Sequence, residues 1–163
     1  MGFACNREQN KNQYENLSQE ELREKTIEEN KKFVKLEKLR IDKYIERNAL
    51  DMTTTGSGLR YKIYESGAGE KAETGKVAFV LYKISQLDGT LIYESKNNEP
   101  EDFLIGADNV ESGLHEGINY MRVGDKAMFI IPSHLAHGLT GDSNKIPSRT
   151  TLVFDIELVG LNS

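Results

Sequence analysis

Cysteine occurs once in the 163 residues, proline three times and tryptophan not at all, and no apolar run approaches bilayer length. One cysteine cannot form an internal disulfide, so the fold is held by packing, and the thiol count does not decide the compartment. Without a run of ~18 apolar residues, no helix written here spans a membrane. An excess of basic charge is missing too: 21 Lys and Arg stand against 26 Asp and Glu, for a net charge of -5. Such a chain does not attract a phosphate backbone, and no dense Lys/Arg cluster offsets the balance, so nucleic acid is excluded as the expected partner. What is present is 37% apolar residues, enough for one core with an appendage rather than two full domains.

The single thiol lies in MGFACN, where Cys5 follows the small Ala4 and precedes a polar stretch rich in Asn, Gln and Lys. This resembles the remnant of a bacterial lipoprotein processing site, in which Cys5 is the lipidated first residue and the residues up to 17 form a hydrophilic tether. Four residues cannot supply the charged start and ~7–15 apolar residues of an export segment. An incidental cysteine near a disordered end is the plainer alternative.

Residues 18–50 contain no Gly or Pro and are dense in Glu, Lys, Arg and Leu, which lose least on entering a helix. Ser18 with Glu21 three places on is a capping-box start. Leu22, Ile27, Phe33, Val34, Ile41, Tyr44, Ile45 and Leu50 form one imperfect stripe, with Leu36 and Leu39 outside it. So broken a stripe predicts a helix docked on a neighbour or solvated, with dimerisation through helix 18–50 as the alternative. The polar run DMTTTGSG, 51–58, reads as a linker.

From residue 59 the period changes to two. LRYKIYESG, KVAFVLYKISQ and TLIYES alternate or run apolar, and Asp88-Gly89 marks a hairpin turn between the last two. FLIG, KAMFIIP and TTLVFDIELVGL follow as strands. Between the first two of these, Val110, Leu114, Ile118 and Met121 share one face of a short helix. Antiparallel strands with one short helix predict an α+β fold, a curved antiparallel β-sheet wrapped around that helix and preceded by the long N-terminal one.

The stretch IPSHLAHGLTGDSNKIP, 131–147, carries two histidines, a serine and an aspartate. A Ser133, His134, Asp142 triad needs a nucleophile on a fixed turn with oxyanion donors, and no strand–turn–helix elbow surrounds Ser133. His134, His137 and Asp142 lack the further ligand and ordered scaffold of a closed metal site. Surface or structural roles are expected for His115 and His134.

An ordered series of motifs covers roughly the last 100 residues: SGLRY at 57–61, a GxG turn at Gly67 to Gly69, VAFVLYKISQLDGT at 77–90, ES at 94–95, FLIG at 103–106, ESGLHEGINYMRVGDKAMFIIP at 111–132, AHGLTG at 136–141, and IP followed by TTLVFDIEL at 150–158. The series resembles the FK506-binding-protein family of peptidyl-prolyl cis/trans isomerases, which makes residues 59–163 the isomerase domain. SGLHEGI, GDKAMFIIPSHLAHGLTGD and KIP are similar in wording to gliding-motility-associated isomerase-like lipoproteins of Bacteroidetes. That likeness implies a cell-envelope location on the periplasmic side, with a cytoplasmic one as the alternative.

The resemblance implies that Tyr82 is a wall of a proline pocket and that Val110 with the backbone N–H of Glu111 clamps the peptide. It puts Leu114 where many members have a floor tryptophan, with Phe103, Ile146 and Phe154 completing the apolar lining. Plain core packing remains the alternative for each, above all for Phe103 and Phe154. At LIYES two registers are open. Either Ile92 takes the place of the family's aromatic and Tyr93 that of its aspartate, or Tyr93 and Glu94 take them after an insertion.

His137 stands where a tyrosine commonly donates to the substrate carbonyl. Imidazole can also donate, but its charge changes near pH 6.5, so pH-dependent binding is expected. The implied substrates are proline-containing peptides or unfolded client proteins, with FK506-like macrolides as further ligands that the smaller Leu114 would hold less well. Rotation about X-Pro makes and breaks no bond, so neither cofactor nor metal is called for. A binding module or holdase with little turnover, part of an envelope assembly, is the alternative.

Overall fold

The computed structural model describes residues 16–163. Cys5 and nearly all of the expected tether lie outside them. Helix α1 runs Gln19–Arg47. Its start is the capping box read from the sequence: the Glu21 N–H donates to Ser18 Oγ at 3.3 Å, and the Ser18 N–H donates to the Glu21 carboxylate at 2.7 Å. It ends where the Leu50 N–H bonds to the Ile45 carbonyl and Ala49 turns to a positive φ of 49°.

The chain divides into two compact units, Met1–Arg40 and Ile41–Ser163, so the boundary falls inside α1. In the first unit Ile27, Val34, Leu36 and Leu39 are 46–54% exposed. In the second, the last turns of α1 join the sheet domain. Ile41 is buried against Ile130 and Val153, with Tyr44 and Ile45 beside it, and Asp42 holds the buried Arg60 guanidinium at 3.0 Å.

Seven strands form one sheet among the described residues: β1 Thr53–Thr54, β2 Arg60–Glu65, β3 Val77–Ser85, β4 Leu91–Glu94, β5 Glu101–Leu104, β6 Lys126–Ile131 and β7 Leu152–Asn162. The order is β1-β2-β6-β7-β3-β4, with β5 also on β3, and every pairing is antiparallel. The linker expected over 51–58 contributes β1, which pairs with the start of β2. Asp88-Gly89 ends the β3–β4 loop as expected, the Gly89 N–H closing a turn on the Gln86 carbonyl and Gly89 taking a φ of 89° that suits glycine. One edge of β3 serves two partners: Val77–Val80 meet β5, whereas Lys83–Ser85 meet β4. Between the two partners Ser95 takes over the edge, its N–H donating to the Tyr82 carbonyl at 3.0 Å and its Oγ accepting the Tyr82 N–H at 2.9 Å.

Helix α2, Ser112–Ile118, is shorter than its apolar spacing suggests, so Val110 precedes it and Met121 follows it. It rests closely on β6, because a methyl group at Gly117 would sit 2.7 Å from the Phe129 ring and one at Gly113 2.5 Å from Ile131. Leu114 and Ile118, on the same side, enter the main core with Phe129, Phe154 and Leu158.

Candidate functional site

Strand periodicity builds the first wall of an apolar cleft. Val80, Tyr82 and Ile84 alternate along β3 toward one face, and Phe154 and Ile156 do the same along β7. Phe103 from β5, Leu114 from α2 and Ile146 from the loop 132–147 complete a cleft of about 320 Å³. Phe103, Leu114, Ile146 and Phe154 are each at most 6% exposed, so the lining is apolar and fixed by the core behind it.

Three donor–carboxylate pairs stand at the rim. The Tyr82 hydroxyl donates to Glu101 at 2.9 Å. Tyr93 donates to Asp142. His137 Nε2 meets Glu111 Oε1 at 2.9 Å, with the Glu111 carboxylate only 10% exposed. Burial first, then the bond to Glu101, pushes the Tyr82 phenol well above its ordinary range. Tyr93 is raised mainly by its bond to Asp142. The Tyr93 hydroxyl in turn holds Asp142 at about 2, helped by the N–H groups of Ile146 and Asn144.

The loop's fold follows from that aspartate. Asp142 Oδ1 accepts from Asn144 at 2.9 Å and from Ile146 at 2.7 Å, an Asx turn that curls the chain and carries Ile146 into the cleft. On the opposite side Glu111 caps α2. Its own backbone N–H has no acceptor among the described residues, and it lies where the cleft lining passes from Val110 to Glu111.

Of the residues singled out from the sequence, Tyr82, Tyr93, Phe103, Val110, Glu111, Leu114, His137, Ile146 and Phe154 come together here. Ile92 does not. The register slips between Ile84 and Ser85 of β3, which pair with Tyr93 and Leu91 of β4, so Ile92 is the extra residue of a bulge. It goes into the core at 6% exposure, Tyr93 faces the cleft, and Glu94 is exposed. Glu101, Asp102 and Asp142 also line the cleft; no local pattern in the sequence marks the first two, and the third stands out there only as a triad or metal candidate.

The other histidines have partners elsewhere. His134 Nε2 bonds to the Ser57 carbonyl at 2.9 Å. His115 accepts the Gly106 N–H on Nδ1 at 2.8 Å, which leaves Nε2 to donate to the Asp108 carbonyl. His115 thus pins the loop between β5 and α2. Ser133, His134 and Asp142 do not assemble as a relay, since Asp142 is engaged by Tyr93 and the loop backbone. A second hollow of about 510 Å³ is lined by Leu81 and Lys83 of β3 and Asp155 and Glu157 of β7, which alternate with the cleft-facing residues, together with Glu94, Lys126 and the polar turn 95–98. Its mixed charge and lack of an apolar floor suit no proline ring.

Comparison with known proteins gives this geometry its relatives. The family described as "FKBP-type peptidyl-prolyl cis-trans isomerase" matches residues 68–159. The probable isomerase FkpA of Neisseria meningitidis is 34% identical over 147 residues, covering 88% of this chain and 53% of that protein. The FkpA of Aeromonas hydrophila is 34% identical over 122 residues, covering 74% and 45%. The chain thus spans about half the length of these curated relatives. Among solved structures, a peptidyl-prolyl cis-trans isomerase from Pseudomonas syringae superposes with a TM-score of 0.71 at 26% identity over 82% of this chain and 96% of that one. FkpA from Escherichia coli gives 0.66 at 30% identity over 90% and 74%. With its match running from Ala68 in the β2–β3 loop to Val159 in β7, the chain belongs to the FKBP-type peptidyl-prolyl cis-trans isomerase family.

Proposed function

We propose that the chain catalyses rotation about X-Pro bonds in the cleft between β3, β5, β7, α2 and the loop 132–147. The observation that carries this reading is the apolar pocket beside the Glu111 N–H, which has no acceptor among the described residues. Amide resonance sets a barrier of about 18–20 kcal/mol, and the unaided reaction takes tens of seconds. A proline ring seated against Phe154, Leu114 and Ile146 loses its water. The twisted amide carries less charge separation than the planar one, so exclusion of water favours it. The Glu111 N–H supplies a fixed donor for a peptide carbonyl, without a bond being made or broken.

His137 has Nε2 turned to Glu111, so it supports that carboxylate, and any donation to substrate would need the pair to open. This commitment, repeated at Tyr82 and Tyr93, favours a second reading: a module that binds proline segments with little turnover. A protease-coupled assay of wild type, Tyr82→Ala and Phe154→Ala decides. An isomerase accelerates a Leu-Pro peptide and loses at least about tenfold in kcat/KM in either variant, the cost of about 1.4 kcal/mol of transition-state binding. Uncatalysed rates with intact peptide binding would leave the module.

Envelope placement rests on the Ala4-Cys5 junction and the polar run after it, and no described helix is long and apolar enough to cross a membrane. The closeness to gliding-motility lipoproteins rests on the wording of the motifs at 112–118, 124–142 and 145–147 alone. Mass spectrometry of the protein from its native membrane tests acylation at Cys5, and an unmodified thiol there sinks the anchor. A macrolide of the FK506 kind would rest on Leu114, a smaller floor than an indole, and is proposed as a weak ligand.

A further inference from the structure

The cleft is apolar in its depth and acidic at its mouth. Four carboxylates line it: Glu101 and Asp102 from β5, Glu111 at the start of α2, and Asp142 from the loop 132–147. No lysine or arginine is among the lining residues. Three separate elements supply the acids, so they flank the opening instead of marking one side.

Their hydrogen bonds do not neutralise them. Tyr82 and Tyr93 are neutral donors, and both phenols are raised away from ionisation, so neither hydrogen bond sets a positive charge against Glu101 or Asp142. The basic side chains beside these acids are His137, on Glu111, and Lys145, over the Tyr93 ring. The chain itself shows how a cation fares here: Lys145 Nζ lies 5.3 Å from the centroid of the Tyr93 ring, the ring whose hydroxyl Asp142 holds. An ammonium at this rim gains both the aromatic face and the nearby carboxylate. Apolar walls around the acids strengthen their field at the opening.

We infer that the cleft selects proline segments in which a lysine or arginine flanks the proline, and disfavours those with a flanking aspartate or glutamate. This rests on the reading of the cleft as the proline site. It names a substrate class for that site: the ring is seated by the apolar floor, and the neighbouring cationic side chain is steered by the acidic mouth.

The test uses the full chain and three peptides that differ only before proline, Lys-Pro, Leu-Pro and Glu-Pro, with both kcat/KM and Kd measured. At about 20 mM salt the Lys-Pro peptide should exceed the Glu-Pro peptide by about five- to tenfold in both quantities, the size expected of several partly screened charge pairs. The ratio should shrink severalfold at about 0.5 M salt, where the Debye length is only a few ångströms. Asp102→Asn, at an exposed position that can lose its charge without unfolding the domain, should narrow the low-salt ratio by about two- to threefold. Equal Lys-Pro and Glu-Pro values at low salt, or a ratio that salt and Asp102→Asn leave unmoved, would overturn the inference. If no peptide is accelerated, the isomerase reading fails, and the Kd ratio still decides the charge preference.

Discussion

Ile92 and Tyr93 are neighbours in the chain, and one bulge sends the first into the core and the second to the cleft. The sequence left two registers open at LIYES because alternation is the only guide there, and a bulge suspends alternation. Glu101 and Asp102 were illegible for a related reason: acids next to a short strand read as solvent-facing, and only the pairing of β5 with β3 brings Glu101 to Tyr82. Asp142 finds Tyr93 across 49 residues of sequence, beyond any local pattern. Its acidity gives a prediction with a definite sign. The folded value of about 2 lies below the ordinary 3.8, so the bonds of Asp142 stabilise the fold fully above about pH 4. That contribution is lost as pH falls from about 4 toward 2. Urea midpoints at pH 5 and pH 2.5 should therefore drop further in wild type than in Asp142→Asn, and equal drops would show that Asp142 carries no such linkage.

Among the elements, the strands were legible because half-buried β-structure writes its period into Val, Ile, Tyr and Phe, as in β3 and β7. Helix α2 was legible as a stripe but not in its ends. SGLHEGI contains two glycines that lower helix propensity, and their value lies in tertiary contact, which no one-dimensional pattern displays. Gly117→Ala places a methyl group 2.7–2.9 Å from three carbons of the Phe129 ring. Phe129 is fully buried, so either the ring or the helix must shift, at a cost of about 1–3 kcal/mol. A lower urea midpoint, accompanied by weaker peptide binding because Leu114 moves with the helix, is the expected outcome. A midpoint equal to that of wild type would show that α2 has slack against β6.

For the molecule as a whole, the long helix was foreseen as an appendage, and its composition could not show that the last turns become part of the sheet domain. Ile41, Tyr44 and Ile45 lie in a stripe whose earlier members, Ile27 and Val34, remain about half exposed. A chain shortened to begin just before Ile41 should keep the domain's stability and its peptide binding. One shortened to begin at Asp51 loses Ile41, 1% exposed, from Ile130 and Val153, and should be less stable by about 2–5 kcal/mol. Thermal melts of the two shortened chains separate these outcomes, and matching melts would mean that α1 contributes nothing to the domain.

The direct test of the cleft as an isomerase site is exchange spectroscopy by NMR on a Leu-Pro peptide with the full chain at micromolar concentration. The cis and trans resonances should exchange far faster than the uncatalysed tens of seconds, and Phe154→Leu should slow that exchange while the domain stays folded. Shifted peptide resonances that prove binding, with exchange no faster than in free peptide, would contradict catalysis and leave a proline-binding module.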